Sequence, residues 1–393
     1  MTFAPLAGIR VVDLTSSLAG PTCTETLAAL GADVVKVEHP TRGDEARAWG
    51  PRFFDGGSVL FFAANRSKRS LGLDVKDPDG RAALLRLLDG ADVFVQSMRA
   101  GAAERLGLGA GELRRRNPRL VTCSIEAFGR QGPLAGEPGY DPLMQAFAGI
   151  VSITGEADRP GVRVGASLID IGTGVWAALG IVAALLERRD TGRGRDVGAA
   201  LFDTALSLVG YQLAAAIRSG VAPGRHGTAF PLIAPYEVFA TSDGELMVAA
   251  ANDRLFRTLC DRIGLPELAD DPRFATNPDR LAHRGELLPP IRARLQAEPS
   301  AYWLERLAGI PVAPVQDLVE VGEHPQTRAS GMLAQVGGVE SVLPPLRLDG
   351  ERLAHDAPPP LLGQHSREVL QEVGYTGEEI DALVARGVVG SSA

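Results

Sequence analysis

From Ile9 to Phe128 the chain alternates short runs rich in β-branched residues with longer runs of helical composition, and this alternation restricts the possible folds more than any other feature. "IRVVDLT" reads as a strand, "PTCTETLAALGA" as a helix closed by glycine, and "DVVKVEH" as a second strand. "DPDGRAALLRLLDGA" follows as a capped helix, then "DVFVQSM" and "RLVTCSIEAF" as further strands. Strands separated by helices cannot pair as hairpins, so the pattern predicts an α/β fold: a largely parallel sheet covered by helices. In such a sheet ligands bind beyond the carboxyl ends of the strands. The segments predicted there are 14–21, 38–47, 97–105 and 127–141.

A chain of 393 residues with 45% hydrophobic content can bury a substantial core. Its net charge of -8 argues against non-specific nucleic-acid binding, leaving room only for a small anionic partner held by a local basic pocket. Cys23, Cys123 and Cys260 have no CxxC spacing and suggest neither a disulfide framework nor a zinc site. The start, "MTFAPLAGIRVVDLT", lacks the basic and apolar regions of a signal peptide, so a soluble cytoplasmic protein is expected. The apolar run after Asp170 is the one segment that mimics a membrane span. Its acid at one end and "ERRD" at the other fit a buried core helix better.

Beyond that helix, "RGRDVGAALFDTALSLVGYQLAAAI" predicts a short strand and another apolar helix. "YEVFATSDGELMVAAAND" predicts a hairpin with a Ser-Asp-Gly turn, which opens a second, smaller domain of mixed class. The tail, from "SREVLQEVG" onward, reads as two short amphipathic helices.

No GxGxxG follows the first strand, and GxxxxGK[ST], HExxH and GxSxG are all missing, which removes the usual signatures of dinucleotide, nucleotide, zinc-hydrolase and serine-hydrolase chemistry. Basic residues do collect in the predicted site loops: Arg42 and Arg47, then Arg66, Lys68 and Arg69, then Arg99 and Arg105. A ligand with several phosphates needs such a set, although charged loop residues also occur as plain solvated surface. "GRQGPLAGEPGYD", 129–141, is equally readable as a ligand-approaching loop or as ordinary turns. Asp170 precedes "IGTGVWAALG" and has two compatible readings. It is a helix N-cap, and it is a carboxylate kept ionised by the positive helix end while apolar surroundings strip its water, a nucleophile toward an activated carbonyl.

Taken together, "LAGPTCTETLAALGADVVKVEHPTRGDEAR", "NRSKRSLGLDVK", "ERLGL", "NPRLVTCSIEAFGRQGP", "GYD", the Asp170 segment, "APYEVFATSDG" and "LGQHSREVLQEVGY" resemble the class III coenzyme A transferases of CaiB/BaiF type. That family also includes the alpha-methylacyl-CoA racemases. The resemblance runs from Leu6 to about Val388. It implies a Rossmann-like large domain built from 1–215 and 325–393, a smaller mixed α/β domain from 216–324, and two chains interlocked as a homodimer. It implies coenzyme A, bound as a substrate rather than a permanent cofactor, along Leu18 and Ala19, His39, Asn65, Arg66, Ser67 and Lys68, then Ser97, Met98 and Arg99, Arg105, and the corner Pro138, Gly139, Tyr140 and Asp141. His39 would lie by the adenine.

The resemblance further assigns Asp170 as the catalytic carboxylate, attacking an acyl-CoA to give an aspartyl anhydride and then an aspartyl-CoA thioester, with a carboxylic or dicarboxylic acid as acceptor, no metal, and no membrane or nucleic acid. Succinyl-CoA is the expected donor, and Arg163 and Arg225 have two readings, a holder for a distal carboxylate or a plain surface charge. Racemisation is the alternative. Its histidine would stand where this chain has Tyr140, a poor base at neutral pH. A non-catalytic CoA-binding subunit is a third reading, against which Asp170 itself argues.

Overall fold

The computed structural model describes residues 4–353 and 357–390, which divide into two compact units. The larger comprises Met1–Ile150, Val164–Ser219 and Arg328–Ala393; the smaller comprises Val151–Arg163 and Gly220–Thr327. Residues 151–163, expected with the large domain, belong to the smaller unit. Hydrogen bonds fix them there: Val162 donates to Thr154 O, Gly227 to Gly155 O, and the Arg225 guanidinium to the carbonyls of Glu156 and Ala157.

The larger unit is built on strands β1 (Arg10–Leu14), β2 (Asp33–Glu38), β3 (Lys68–Leu73), β4 (Val93–Gln96), β5 (Val121–Glu126) and β6 (Asp196–Ala200). They lie in the order 3-2-1-4-5-6, all parallel, with Val389–Gly390 added antiparallel beside β3 as a seventh strand that the sequence did not disclose. This is the doubly wound, Rossmann-like order. The chain switches direction across the sheet between β1 and β4, and that opens a crevice at their carboxyl ends. Val11, Val12, Val34, Val35, Val93, Val95 and Val121 are buried, as expected of strands covered on both faces.

Two helices frame the crevice. Helix α1 (Ala19–Ala29) follows β1, and α2 (Asp141–Phe147) ends the glycine-rich loop. The long helix α3 (Leu168–Thr191) packs along α1 through a buried stripe of Thr173, Gly174, Ala177, Ala178 and Ile181. By length and composition α3 is apolar enough to cross a membrane. It is not the wholly buried helix its composition predicts, because Ile171, Val175, Trp176, Leu179 and Leu186 on its other side are exposed.

In the smaller unit, Tyr236–Ala240 and Glu245–Ala249 form the expected hairpin, joined on its second strand by Val312–Pro314. Helices enclose Phe239, Leu246, Val248, Phe256, Phe274 and Trp303 as a separate core. The two tail helices are present at Ser366–Glu372 and Gly377–Ala385.

Candidate active site

A cleft of about 410 Å³ opens at the carboxyl ends of β1 and β4, lined entirely by the larger unit. Ser16, Ser17, Ala19 and Gly20 come from the loop after β1 and the start of α1, Ser97 to Ala100 from the loop after β4, and Gly136 to Tyr140 from the glycine-rich loop. Glu45, Ile125 to Ala127, Leu201 and Asp170 complete it. The loops are tied together, since Ser16 N–H donates to Ser97 Oγ at 3.2 Å. All four predicted site segments contribute to this one cleft.

The β1 loop is held from below by a buried ion network. Asp13 accepts from Thr15 N–H (3.0 Å) and Oγ1 (2.5 Å), from Thr24 Oγ1 (2.6 Å) and from Lys68 Nζ (3.1 Å). Lys36 Nζ donates to Thr15 O at 3.0 Å and pairs with Asp44 at 2.8 Å. Burial would raise the Asp13 carboxyl, but the charges of Lys68 and Lys36 outweigh it and hold the group below the usual carboxylate range. Ser17 has a left-handed backbone, φ 69°, which is costly for a residue with a side chain. Its N–H bond to Asp44 (3.0 Å) and its hydroxyl bond to Glu45 (2.7 Å) hold it there.

Asp170 lies in the first turn of α3 but is not its cap. The cap comes from another helix: Asp141 Oδ2 accepts the N–H of Ile169 at 2.8 Å and of Asp170 at 3.2 Å. Asp141 Oδ1 accepts from Gln145 Nε2 at 2.6 Å, and Gln145 Oε1 accepts the Val164 N–H at 2.8 Å. Asp141, expected as a coenzyme contact, is therefore a buried carboxylate that fixes the start of α3. A second correction follows from this placement. Burial, and then the negative charge of Asp141, push the Asp170 carboxyl up to about 7 rather than leaving it fully ionised.

Eight of the other expected residues line the cleft: Ala19, Ser97, Met98, Arg99, Pro138, Gly139, Tyr140 and Asp170 itself among them. Leu18, the N-cap position of α1, His39 and Arg105 stand outside the lining. His39 Nδ1 accepts from Thr41 N–H in the turn after β2. Asn65, Arg66, Ser67 and Lys68 do not line the cleft either, and the topology explains why. They precede or begin β3, at the amino end of a strand whose ligand edge is its carboxyl end. Arg66 pairs with Glu25 at 2.7 Å, Lys68 bonds Asp13 and Asn65 Oδ1, and Ser67 N–H donates to Ala357 O.

Arg47 is likewise spent on Glu38 (2.8 and 2.7 Å), and Arg69 on Asp33 and Glu372. Of the cations in the loops and turns that follow β2, β3 and β4, Arg42, Lys76, Arg99 and Arg105 form no ion pair within 4.0 Å among the described residues. All four follow the carboxyl ends of β2, β3 or β4. Lys76, in the turn after β3, went unnoticed in the sequence because its position depends on where that strand ends. Among the described residues no cluster of His, Cys, Asp and Glu could hold a metal ion.

The model of CoA-transferase family III matches residues 6–366. The chain belongs to CoA-transferase family III. It is 41% identical to the acetyl-CoA:oxalate CoA-transferase of Acetobacter aceti, over 90% of this chain and 92% of that one. It is 36% identical to the succinyl-CoA:glutarate CoA-transferase of Mus musculus, over 98% and 90% respectively. The crystal structure of a CaiB/BaiF family protein from Brucella suis superposes with a TM-score of 0.85 at 37% identity, covering 95% of this chain and all of that one. The family III fold is thus the one the sequence resemblance implied.

Proposed function

We propose that this family III enzyme moves coenzyme A from an acyl-CoA, with succinyl-CoA as the donor, to a small dicarboxylic acid, and that Asp170 is its nucleophile. The observation that carries the reading is the Asp170 carboxylate, held at the capped end of α3 and facing the cleft at the sheet's switch point. Ser16, Ser17 and Ser97 also line the cleft, but among the described residues no histidine does, so the lining supplies no imidazole to activate a hydroxyl or to move a proton at carbon 2. The racemase reading lacks its base here: Tyr140 occupies that position, and the charge of Glu45 raises its phenol above the ordinary value.

In the proposed cycle a carboxylate oxygen of Asp170 attacks the thioester carbonyl, the C–S bond breaks, and the CoA thiolate leaves behind a mixed anhydride. The thiolate attacks the aspartyl carbonyl and expels the donor acid, giving an aspartyl-CoA thioester. The acceptor carboxylate then attacks that thioester to form a second anhydride and release the thiolate. Thiolate attack on the acceptor's carbonyl yields the new acyl-CoA and regenerates Asp170. In this reading Arg99 in the cleft lining, with Arg42, Lys76 and Arg105 in the segments after β2, β3 and β4, holds the phosphates, and backbone N–H groups of the glycine-rich loop stabilise the oxyanion.

The acceptor class follows the relatives, whose names specify oxalate and glutarate. A homodimer is part of the same proposal, supported by the exposed apolar side of α3. The test is transfer from succinyl-CoA to a panel of mono- and dicarboxylic acids, read by mass spectrometry. Formation of a dicarboxylyl-CoA supports the reading, and hydrolysis or carbon-2 exchange without transfer contradicts it.

A further inference from the structure

Glu45 has no counterpart in the reaction above, yet it lines the same cleft as Asp170. Its Oε1 accepts the Ser17 hydroxyl at 2.7 Å and the Tyr140 hydroxyl at 3.4 Å, joining residues far apart in the chain. Among the described residues no cation lies within 4.0 Å of it, and its Oε2 has no protein partner. The backbone beside Glu45 is held by its neighbour. Asp44, the residue before it, is buried, pairs with Lys36 at 2.8 Å and takes the N–H groups of Ser17 and Ala46. Trp49 meets the Tyr140 ring edge-on, with centroids 6.3 Å apart.

Both hydroxyls spend their protons on Glu45, so what Ser17, Tyr140 and Glu45 leave open is lone pairs alone. A wall of acceptors beside a negative charge favours a neutral hydrogen-bond donor and repels a carboxylate or a phosphate. Arg99, the one guanidinium in the cleft lining among the described residues, acts on the Tyr140 phenol from nearby and is the group available to an anionic end of the substrate.

Resting on the proposed transfer reaction, we infer that Ser17, Glu45 and Tyr140 form a specificity wall that recognises a hydroxyl or amide N–H on the bound substrate. Two groups present that chemistry: the amides and hydroxyl of the pantetheine arm, and a hydroxyl on the acceptor acid. Glutarate against 2-hydroxyglutarate, and succinate against malate, are acceptor pairs of equal charge that differ by one hydroxyl, and they separate these sources.

The test compares wild type with Glu45→Gln, and with Tyr140→Phe as a milder change at an exposed side chain. If the wall reads the acid, Glu45→Gln lowers the hydroxylated-to-plain ratio of kcat/KM about tenfold and leaves the KM for succinyl-CoA unchanged. If it reads the pantetheine arm, the KM for succinyl-CoA rises about tenfold with kcat and the acid ratio unchanged. Tyr140→Phe should move the same parameter in the same direction by about threefold. Both parameters staying within twofold in folded variants would overturn the inference. Labelling of Asp170 in the wild type is measured separately, so a chain that labels there but shows neither change disproves the wall alone.

Discussion

Two carboxylates share the start of α3, and their division of labour sets the chemistry at the residue scale. Asp141 binds backbone N–H groups, which leaves Asp170 free to react but beside a like charge. The unfolded Asp170 loses its proton near 3.8, whereas the folded one keeps it up to about 7. Between those values the folded chain binds the extra proton, so this group makes stability fall as pH rises across that window. A nucleophile must be ionised, so kcat/KM should rise with pH on a limb near 7. In Asp141→Asn the neutral amide keeps an acceptor for the cap but removes the charge, and the limb should move toward the ordinary carboxylate range. A pH–rate profile checks this; an unmoved limb would mean that Asp141 exerts no electrostatic effect on the nucleophile. Asp170 was legible in the sequence as an acid before an apolar helix, but its cap was not, because the capping residue is 29 positions away. The same limit hid the duties of Arg66 and Lys68, whose partners Glu25 and Asp13 lie 41 and 55 residues distant.

Among the elements, the contact between α1 and α3 carries the most weight, because α1 delivers Ala19 and Gly20 to the cleft while α3 delivers Asp170. Gly174 permits their close approach. A Cβ added there would lie 2.6 Å from the Ala19 carbonyl oxygen, 2.8 Å from Thr22 Cβ and 3.0 Å from Cys23 N. Two of these are backbone atoms that cannot rotate away, so Gly174→Ala should cost about 1–3 kcal/mol and push the helices apart. We expect a lower Tm together with a raised KM for acyl-CoA; an unchanged Tm would show that the helices do not meet as described. The strands and helices of the larger unit were legible because alternation and capping are local properties. The edge strand Val389–Gly390 was not, since two residues carry no periodicity and its pairing with β3 is long-range. Likewise, the boundary at 151–163 depends on hydrogen bonds to 225 and 227 that no local pattern encodes.

For the whole molecule, the exposed side of α3 continues the question of assembly. Trp176 is 56% exposed and Leu186 63%, while Ile217, on the nearby helix Gly210–Ser219 in sequence, is 75% exposed. So large an apolar surface is costly in water, and the proposed second copy would cover it. Sedimentation should give twice the chain mass for the wild type and a lower mass for Trp176→Asp combined with Ile217→Asp. A monomeric wild type would refute the dimer. The transfer reaction itself is tested most directly by trapping the acyl-enzyme. Wild-type enzyme incubated with succinyl-CoA and hydroxylamine, digested and read by mass spectrometry, should carry a hydroxamate on Asp170, with none in Asp170→Ala. A hydroxamate on another side chain, or none during measurable turnover, would contradict the assignment.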